Sequence, residues 1–213
     1  MSEPRPDSQA AQFWEARYAT SDQIWSGRAN QALVAVATDL SPGRALDLGC
    51  GEGADSIWLA QQGWRVTGLD ISPTALARAE RAAAQAGLPD GHIRWIAHDL
   101  TTWASAESYD LVTACFLQSP IEFPRVDVLR RVADLVAANG HLLIVSHACA
   151  PPWADQPDGH HHRFLTPTEE IEALDLPTTG WDIQLAQTRS RPATGPDGQS
   201  ATLDDAIVLL HRK

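Results

Sequence analysis

The sequence predicts a three-layer α/β fold, a mostly parallel seven-stranded sheet with an antiparallel last strand. Three observations predict it. Short apolar runs alternate with helix-forming segments from residue 44 to residue 147, the pattern of strand–helix–strand units whose helices cover both faces of a parallel sheet. The C-terminal third instead carries two strand-like segments joined by the turn-rich "ATGPDGQS", which predicts an antiparallel hairpin. The chain has 213 residues, 44% of them hydrophobic, enough for one substantial core in one domain.

Each element has its own signal. Residues 1–9 are polar and proline-containing, a loose start. "SQAAQFWEARY" places Ala10, Phe13 and Trp14 on one apolar helical face. A second helix over 29–40 stops at Ser41-Pro42-Gly43. Ala45 to Leu48 is a short apolar strand, and the helix from Ala54 to Gln62 ends at Gly63. "WRVTGLD" is the second strand; Ser72 then caps a helix with Pro73 in its first turn, closed by Gly87. "IRWIAHD" and "YDLVTACF" are the third and fourth strands. "PRVDVLRRVADLVAANG" lines up Val126, Leu129, Val132, Ala133 and Val136 and predicts a helix running to Asn139-Gly140. "HLLIVSH" is the fifth strand. Residues 147–167 form one long irregular segment, of a length often reserved for function. "WDIQLAQTRSRP" and "TLDDAIVLLHR" complete the hairpin.

Composition narrows the function. A net charge of -11 disfavours nucleic-acid partners, because phosphate binding needs a basic surface. No apolar run reaches the length of a membrane span, and "MSEPRPDSQAAQFW" lacks the basic and apolar blocks of a secretory signal. Cys50, Cys115 and Cys149 are scattered and odd in number, which predicts reduced thiols and a cytoplasmic protein. No heptad or exposed apolar helix announces an oligomer interface.

The chemistry concentrates in "RALDLGCGEGADSIWLA", residues 44–60. Gly49, Gly51 and Gly53 turn the first strand into its helix and let a ligand approach the main chain. The glycines alone leave the ligand open, since "GCGEGA" also satisfies the dinucleotide pattern G-x-G-x-x-[GA]. Three acids narrow it. Asp47 precedes the first glycine and braces the turn or meets a ligand ammonium. Asp70 closes the second strand, placed to accept from both ribose hydroxyls. Asp99, in "AHDL", is placed to accept from an adenine amino group.

Together these residues resemble the class I S-adenosylmethionine-dependent methyltransferases, a Rossmann-like family, over roughly residues 25–146. The resemblance implies a single methyltransferase domain over 1–213. Residues 1–43 would form a helical cap, 44–146 the cofactor-binding core, and 147–213 an acceptor loop and the hairpin. It implies S-adenosyl-L-methionine as cofactor, held by Asp47, Gly49, Gly51, Gly53, Asp70, Ile71, Asp99, Leu100, Cys115 and Phe116, with Leu117 and Gln118 flanking its methionine portion. "IWSGRAN" resembles the covering segment of the thiopurine and tellurite-resistance branch. There Arg28 would meet the cofactor carboxylate and Trp25 its sulfonium.

Methyl transfer from a sulfonium needs no covalent nucleophile, so proximity in a dry pocket carries the reaction. The expected partner is a small-molecule methyl acceptor, with Gln118 and Trp153 beside it. His147, ending the fifth strand, is the candidate general base where the acceptor must lose a proton. In "DGHHHRF" the consecutive His160, His161 and His162 cannot readily converge on one ion, so no metal is expected. The same loop, with Trp153, Arg163 and Phe164, is a candidate lid. Two other readings stand beside this one: a nicotinamide-dependent oxidoreductase, for which the chain lacks a separate catalytic domain, and a cofactor-binding module without catalysis.

Overall fold

A computed structural model describes residues 8–150, 152–153, 164–195 and 197–213. The histidine run and Arg163 lie outside the described residues. Seven strands form one sheet: β1 (Arg44–Leu48), β2 (Arg65–Asp70), β3 (Ile93–Ala97), β4 (Tyr109–Cys115), β5 (Val136–His147), β6 (Trp181–Thr194) and β7 (Ser200–Arg212). Their order is β3-β2-β1-β4-β5-β7-β6. β7 runs antiparallel to both β5 and β6, while the pairings among β1 to β5 are parallel, as expected.

Six helices accompany the sheet among the described residues: α1 (Gln9–Ala19), α2 (Gln31–Ala37), α3 (Ala54–Gln61), α4 (Pro73–Gln85), α5 (Arg125–Ala133) and α6 (Pro167–Leu174). The alternation within β5 shows why three layers form. Leu142 and Ile144 point into one core with Leu129 and Val132 of α5, while Leu143 and Val145 point into the other with Leu33 of α2 and Leu59 of α3. A strand apolar on both faces must be covered on both. Among the described residues no helix is long and apolar enough to cross a membrane.

One expectation is corrected, and one element goes beyond the sequence reading. The helix expected to run to Asn139-Gly140 stops at Ala133, and β5 already begins at Val136, which pairs with Tyr109. Asn139 adopts φ 61°, a conformation that ends a helix rather than continuing one. Here it sits within the register shift between β4 and β5. The segment after residue 165 contains a further helix, α6, fixed by a reciprocal cap: Thr166 Oγ1 accepts the Glu169 N–H at 3.2 Å and the Glu169 carboxylate accepts the Thr166 N–H at 2.9 Å. The buried Glu170 carboxylate docks α6 by accepting from Arg125 and from Ser146 Oγ, each at 2.8 Å.

The chain steps outward from β1 to β3 and then returns to β4 on the opposite side of β1. Ligands in open parallel sheets bind beyond the carboxyl ends of the strands at such a reversal. The glycine turn after β1 and residues 116–118 after β4 both lie there.

Candidate active site

The glycine turn is tied to β2 from two sides. Cys50 donates its N–H to the Leu69 carbonyl at 3.0 Å, and Gly51 donates to Asp70 Oδ2 at 2.8 Å. The other Asp70 oxygen accepts the Ser72 N–H at 2.9 Å. The Ile71 N–H also bonds this buried carboxylate, which still leaves it acceptor capacity for a further donor. Gly53 caps α3 with φ 83°; a Cβ there would lie 2.7 Å from Ala79 Cβ and 2.8 Å from the Trp95 ring. That glycine serves close packing of the turn on α4.

Beneath the turn lie two further acids, Asp47 buried and Asp55 half-buried. Asp47 accepts from Ser56 Oγ at 2.6 Å and from Thr113 Oγ1 at 2.9 Å. Asp55, in the first turn of α3, accepts the Asn30 N–H at 2.6 Å and the Cys115 thiol proton. Burial, with the neighbouring Asp55 charge added, raises the Asp47 carboxyl to about 7, and burial raises Asp70 to about 6. Burial also pushes the Cys115 and Cys50 thiols up, so neither is an activated nucleophile. Among the described residues none of the three carboxylates is in an ion pair. An acid-lined, uncompensated site fits a cationic ligand, as S-adenosylmethionine is at its sulfonium and ammonium.

Residues 18–28 lie over the turn and are clamped by side chains the sequence reading did not single out. Glu52, within the glycine motif, accepts the Ile24 N–H at 3.1 Å and the Trp25 N–H at 3.0 Å. Its carboxylate pairs with Arg78 of α4 at 2.9 Å, and Arg78 also donates to the Tyr18 carbonyl at 2.7 Å. Trp25 Nε1 donates to Tyr18 Oη at 2.9 Å. A Cβ on Gly51 would lie 2.9 Å from that hydroxyl and 3.1 Å from Trp25 Nε1. Trp25 remains 45% exposed. Arg28 is exposed, and its guanidinium has no partner among the described residues.

On the β3 side, Asp99 lies two residues past the strand end, where Thr101 donates to Oδ1 from its backbone N–H at 2.8 Å and from its hydroxyl at 2.7 Å. Ser8 Oγ donates to Asp99 Oδ2 at 3.4 Å. Ile71 is half-buried between Asp70 and Ser72. Leu100 is buried in the core, and its carbonyl accepts from Arg131.

Past β4 the backbone turns sharply at Phe116, φ 53°. Leu117 reaches the glycine turn, its Cδ1 2.7 Å from where a Cβ on Gly49 would stand. The Gln118 amide brackets the His147 backbone, accepting its N–H at 2.9 Å and donating to its carbonyl at 3.4 Å. The His147 ring stacks on Phe116 with centroids 4.3 Å apart. His147 Nδ1 faces Asp205 Oδ1 of β7 at 3.4 Å, and the other Asp205 oxygen accepts from Arg191 Nε of β6 at 2.6 Å. Trp153 packs elsewhere on this edge: a Cβ on Gly195, past β6, would lie 2.8 Å from its ring. Asp205 and Arg191 were legible only through pairing, since β5–β7 register sets His147 opposite Asp205 and β6–β7 register sets Arg191 two residues from Asp205's partner.

Residues 45–140 match the family described as "Methyltransferase domain". The 2-heptyl-1-hydroxyquinolin-4(1H)-one methyltransferase of Mycobacteroides abscessus is 28% identical over 150 residues, 66% of this chain and 60% of that protein. The ubiquinone biosynthesis O-methyltransferase of Aliivibrio fischeri is 29% identical over 185 residues, 79% of this chain and 78% of that protein. The chain spans less than two-thirds of the length of three curated relatives it matches, 14%, 60% and 42%. The fold is shared with TehB from Haemophilus influenzae, at 20% identity and a TM-score of 0.68, covering 94% of this chain and 66% of that one. Through residues 45–140 the chain is similar to the methyltransferase-domain family, and through the sheet that extends this region it shares the fold of that solved structure.

Proposed function

We propose that the protein transfers a methyl group from S-adenosylmethionine to a small-molecule acceptor. The observation that carries this reading is Asp70, buried at the end of β2, bonded to the Gly51, Ile71 and Ser72 amides and with acceptor capacity left over. A ribose hydroxyl suits that capacity. Ile71, Asp99 and Leu100 would border the adenine. The backbone of Gly49, Gly51 and Gly53 would approach the ligand closely, and Cys115 and Phe116 would flank its methionine portion. Asp47 and Asp55 would offset its positive charge. Arg28 would meet its carboxylate, and Trp25 would cover it from the strap of residues 18–28.

The bound sulfonium supplies an activated methyl group with its leaving group built in. The chain's own part is to hold an acceptor in line with it and to exclude water, worth an effective concentration of roughly 10⁵ M or more. Gln118 holds the His147 backbone in place, and His147 would take a proton from an acceptor that must release one. Trp153 would border the acceptor from the hairpin side. The net charge of -11 supports a small acceptor over nucleic acid, as do the acceptors in the two relatives' names. Free thiols at Cys50, Cys115 and Cys149 support a reducing compartment, the cytoplasm.

A thermal shift with S-adenosylhomocysteine, with NAD as the control, tests the cofactor: stabilisation by the first alone is expected, and stabilisation by NAD alone would overturn the reading. A screen of phenol, thiol, amine and halide acceptors with labelled methyl donor then identifies the acceptor. Cofactor binding with no methyl transfer to any of these would favour a non-catalytic module.

A further inference from the structure

His147, Asp205, Arg191 and Phe116 form a cluster past the end of β4, in which only Phe116 is also placed beside the cofactor. Asp205 is buried, its side chain 6% exposed, whereas the His147 ring is 28% exposed. Nδ1 of His147 and Oδ1 of Asp205 are both buried, face each other at 3.4 Å, and have no other partner among the described residues. Their contact is a close approach rather than a formed hydrogen bond. Arg191 anchors the far oxygen at 2.6 Å and lies over the Phe116 ring at 5.4 Å. Phe116 in turn stacks on the imidazole. Phe116 thus meets both the imidazole and the Arg191 guanidinium, and the imidazole, 28% exposed, turns Nδ1 to the carboxylate and leaves Nε2 as its other nitrogen. The charged and titratable groups around it are Asp205, Arg191 and the Cys115 thiol, which the Asp205 charge helps to push up.

We infer that Asp205, anchored by Arg191, is a positioning residue that fixes His147 with a proton on Nδ1 and a bare, basic Nε2, equipping the site for an acceptor carrying a weakly acidic O–H or S–H group. An imidazole hydrogen-bonded through one nitrogen presents the other in a defined protonation state. In the step so catalysed, the acceptor's proton passes to His147 Nε2 as its lone pair forms the new bond to the methyl carbon. The breaking carbon–sulfur bond returns its electron pair to the sulfonium sulfur, and the imidazolium then loses its proton to solvent. Nδ1 keeps its proton throughout, facing a carboxylate that stabilises the transient positive charge.

The inference rests on the methyltransferase reading, and two measurements separate their failures. In ¹⁵N-histidine-labelled protein at pH 8, two-bond ¹H–¹⁵N correlation spectra, with His147 assigned by comparison with His147→Gln, are expected to show the Nδ1–H tautomer. Asp205→Asn should shift the signal towards the Nε2–H form; Arg191→Met is a second variant should Asp205→Asn misfold. An Nε2–H tautomer in the wild-type protein overturns the inference whatever the variants do. Calorimetric titration with S-adenosylhomocysteine tests the underlying reading independently of the tautomer, and absence of binding there overturns the methyltransferase reading. With turnover in hand, Asp205→Asn should lower the rate on a phenol about 100-fold relative to the rate on iodide, which has no proton to lose. An unchanged ratio contradicts the role.

Discussion

Asp70 accepts the backbone N–H of Gly51 at 2.8 Å, so the carboxylate ending β2 and the turn ending β1 hold each other in place. The arrangement demands a glycine at 51. Its φ is 55°, and a Cβ would press on both Tyr18 Oη and Trp25 Nε1. Gly51→Ala should therefore cost about 1–3 kcal/mol in urea unfolding and weaken S-adenosylmethionine binding, since the covering segment must shift to admit the methyl group. Wild-type stability and affinity in this variant would show that the segment does not press on the turn.

The clamp on residues 18–28 is electrostatic and largely dry. Glu52 and Arg78 are 9% and 13% exposed at their side chains, and breaking such a pair leaves a charge without its partner. Arg78→Met should destabilise the fold by about 2–4 kcal/mol and speed tryptic cleavage after Arg28, which the segment carries. Equal cleavage rates in variant and wild type would mean that Glu52 alone holds the strap through the Ile24 and Trp25 amides.

The raised carboxyls give a pH dependence with a definite sign. Asp70 at about 6 and Asp47 at about 7 hold their protons more tightly in the fold than in the unfolded chain, where aspartate titrates near about 3.9. Their stabilising contribution is complete below that value and is lost as pH rises through about 6 and 7. A cationic ligand favours the ionised carboxylates, so its binding should release protons between about pH 5 and 7. Calorimetry with S-adenosylmethionine at pH 6.5, in two buffers of different ionisation enthalpy, reads this directly. Proton release that shrinks in Asp47→Asn is expected; proton uptake is the contrary result.

Arg28 is exposed and unpartnered among the described residues, so its removal should leave folding within about 0.5 kcal/mol of wild type. Arg28→Ala should still weaken S-adenosylmethionine binding roughly tenfold, the scale of a charged hydrogen bond. Unchanged affinity would remove it from the site.

The sheet was readable because its strands are short apolar runs fenced by glycine, proline and capping residues. Ser72 before Pro73 marked the start of α4, and Gly63 marked the end of α3. The misplaced end of α5 has a physical cause: Val136 continues the apolar helical face but pairs with Tyr109 as the first residue of β5, and Asn139, with φ 61°, lies in the register shift inside that strand. Helix α6 carried its signal in "TPTE", a capping box that the irregular stretch before it obscured. In the site, motif residues such as Gly51 and Asp70 stand out because they are close in sequence and local in their geometry. Glu52–Arg78 and His147–Asp205 do not, because strand register and α4 packing bring them together from 26 and 58 positions apart.

Asp70 carries the central claim, a methyl-donor pocket where β1 and β2 end, and calorimetry on Asp70→Asn tests it most directly. This change preserves shape but removes the charged acceptor. The account predicts micromolar-range binding of S-adenosylhomocysteine to the wild-type protein and a loss of about tenfold or more in the variant, with the fold intact by circular dichroism. Equal affinity in the two proteins, or no binding by the wild type, would contradict it.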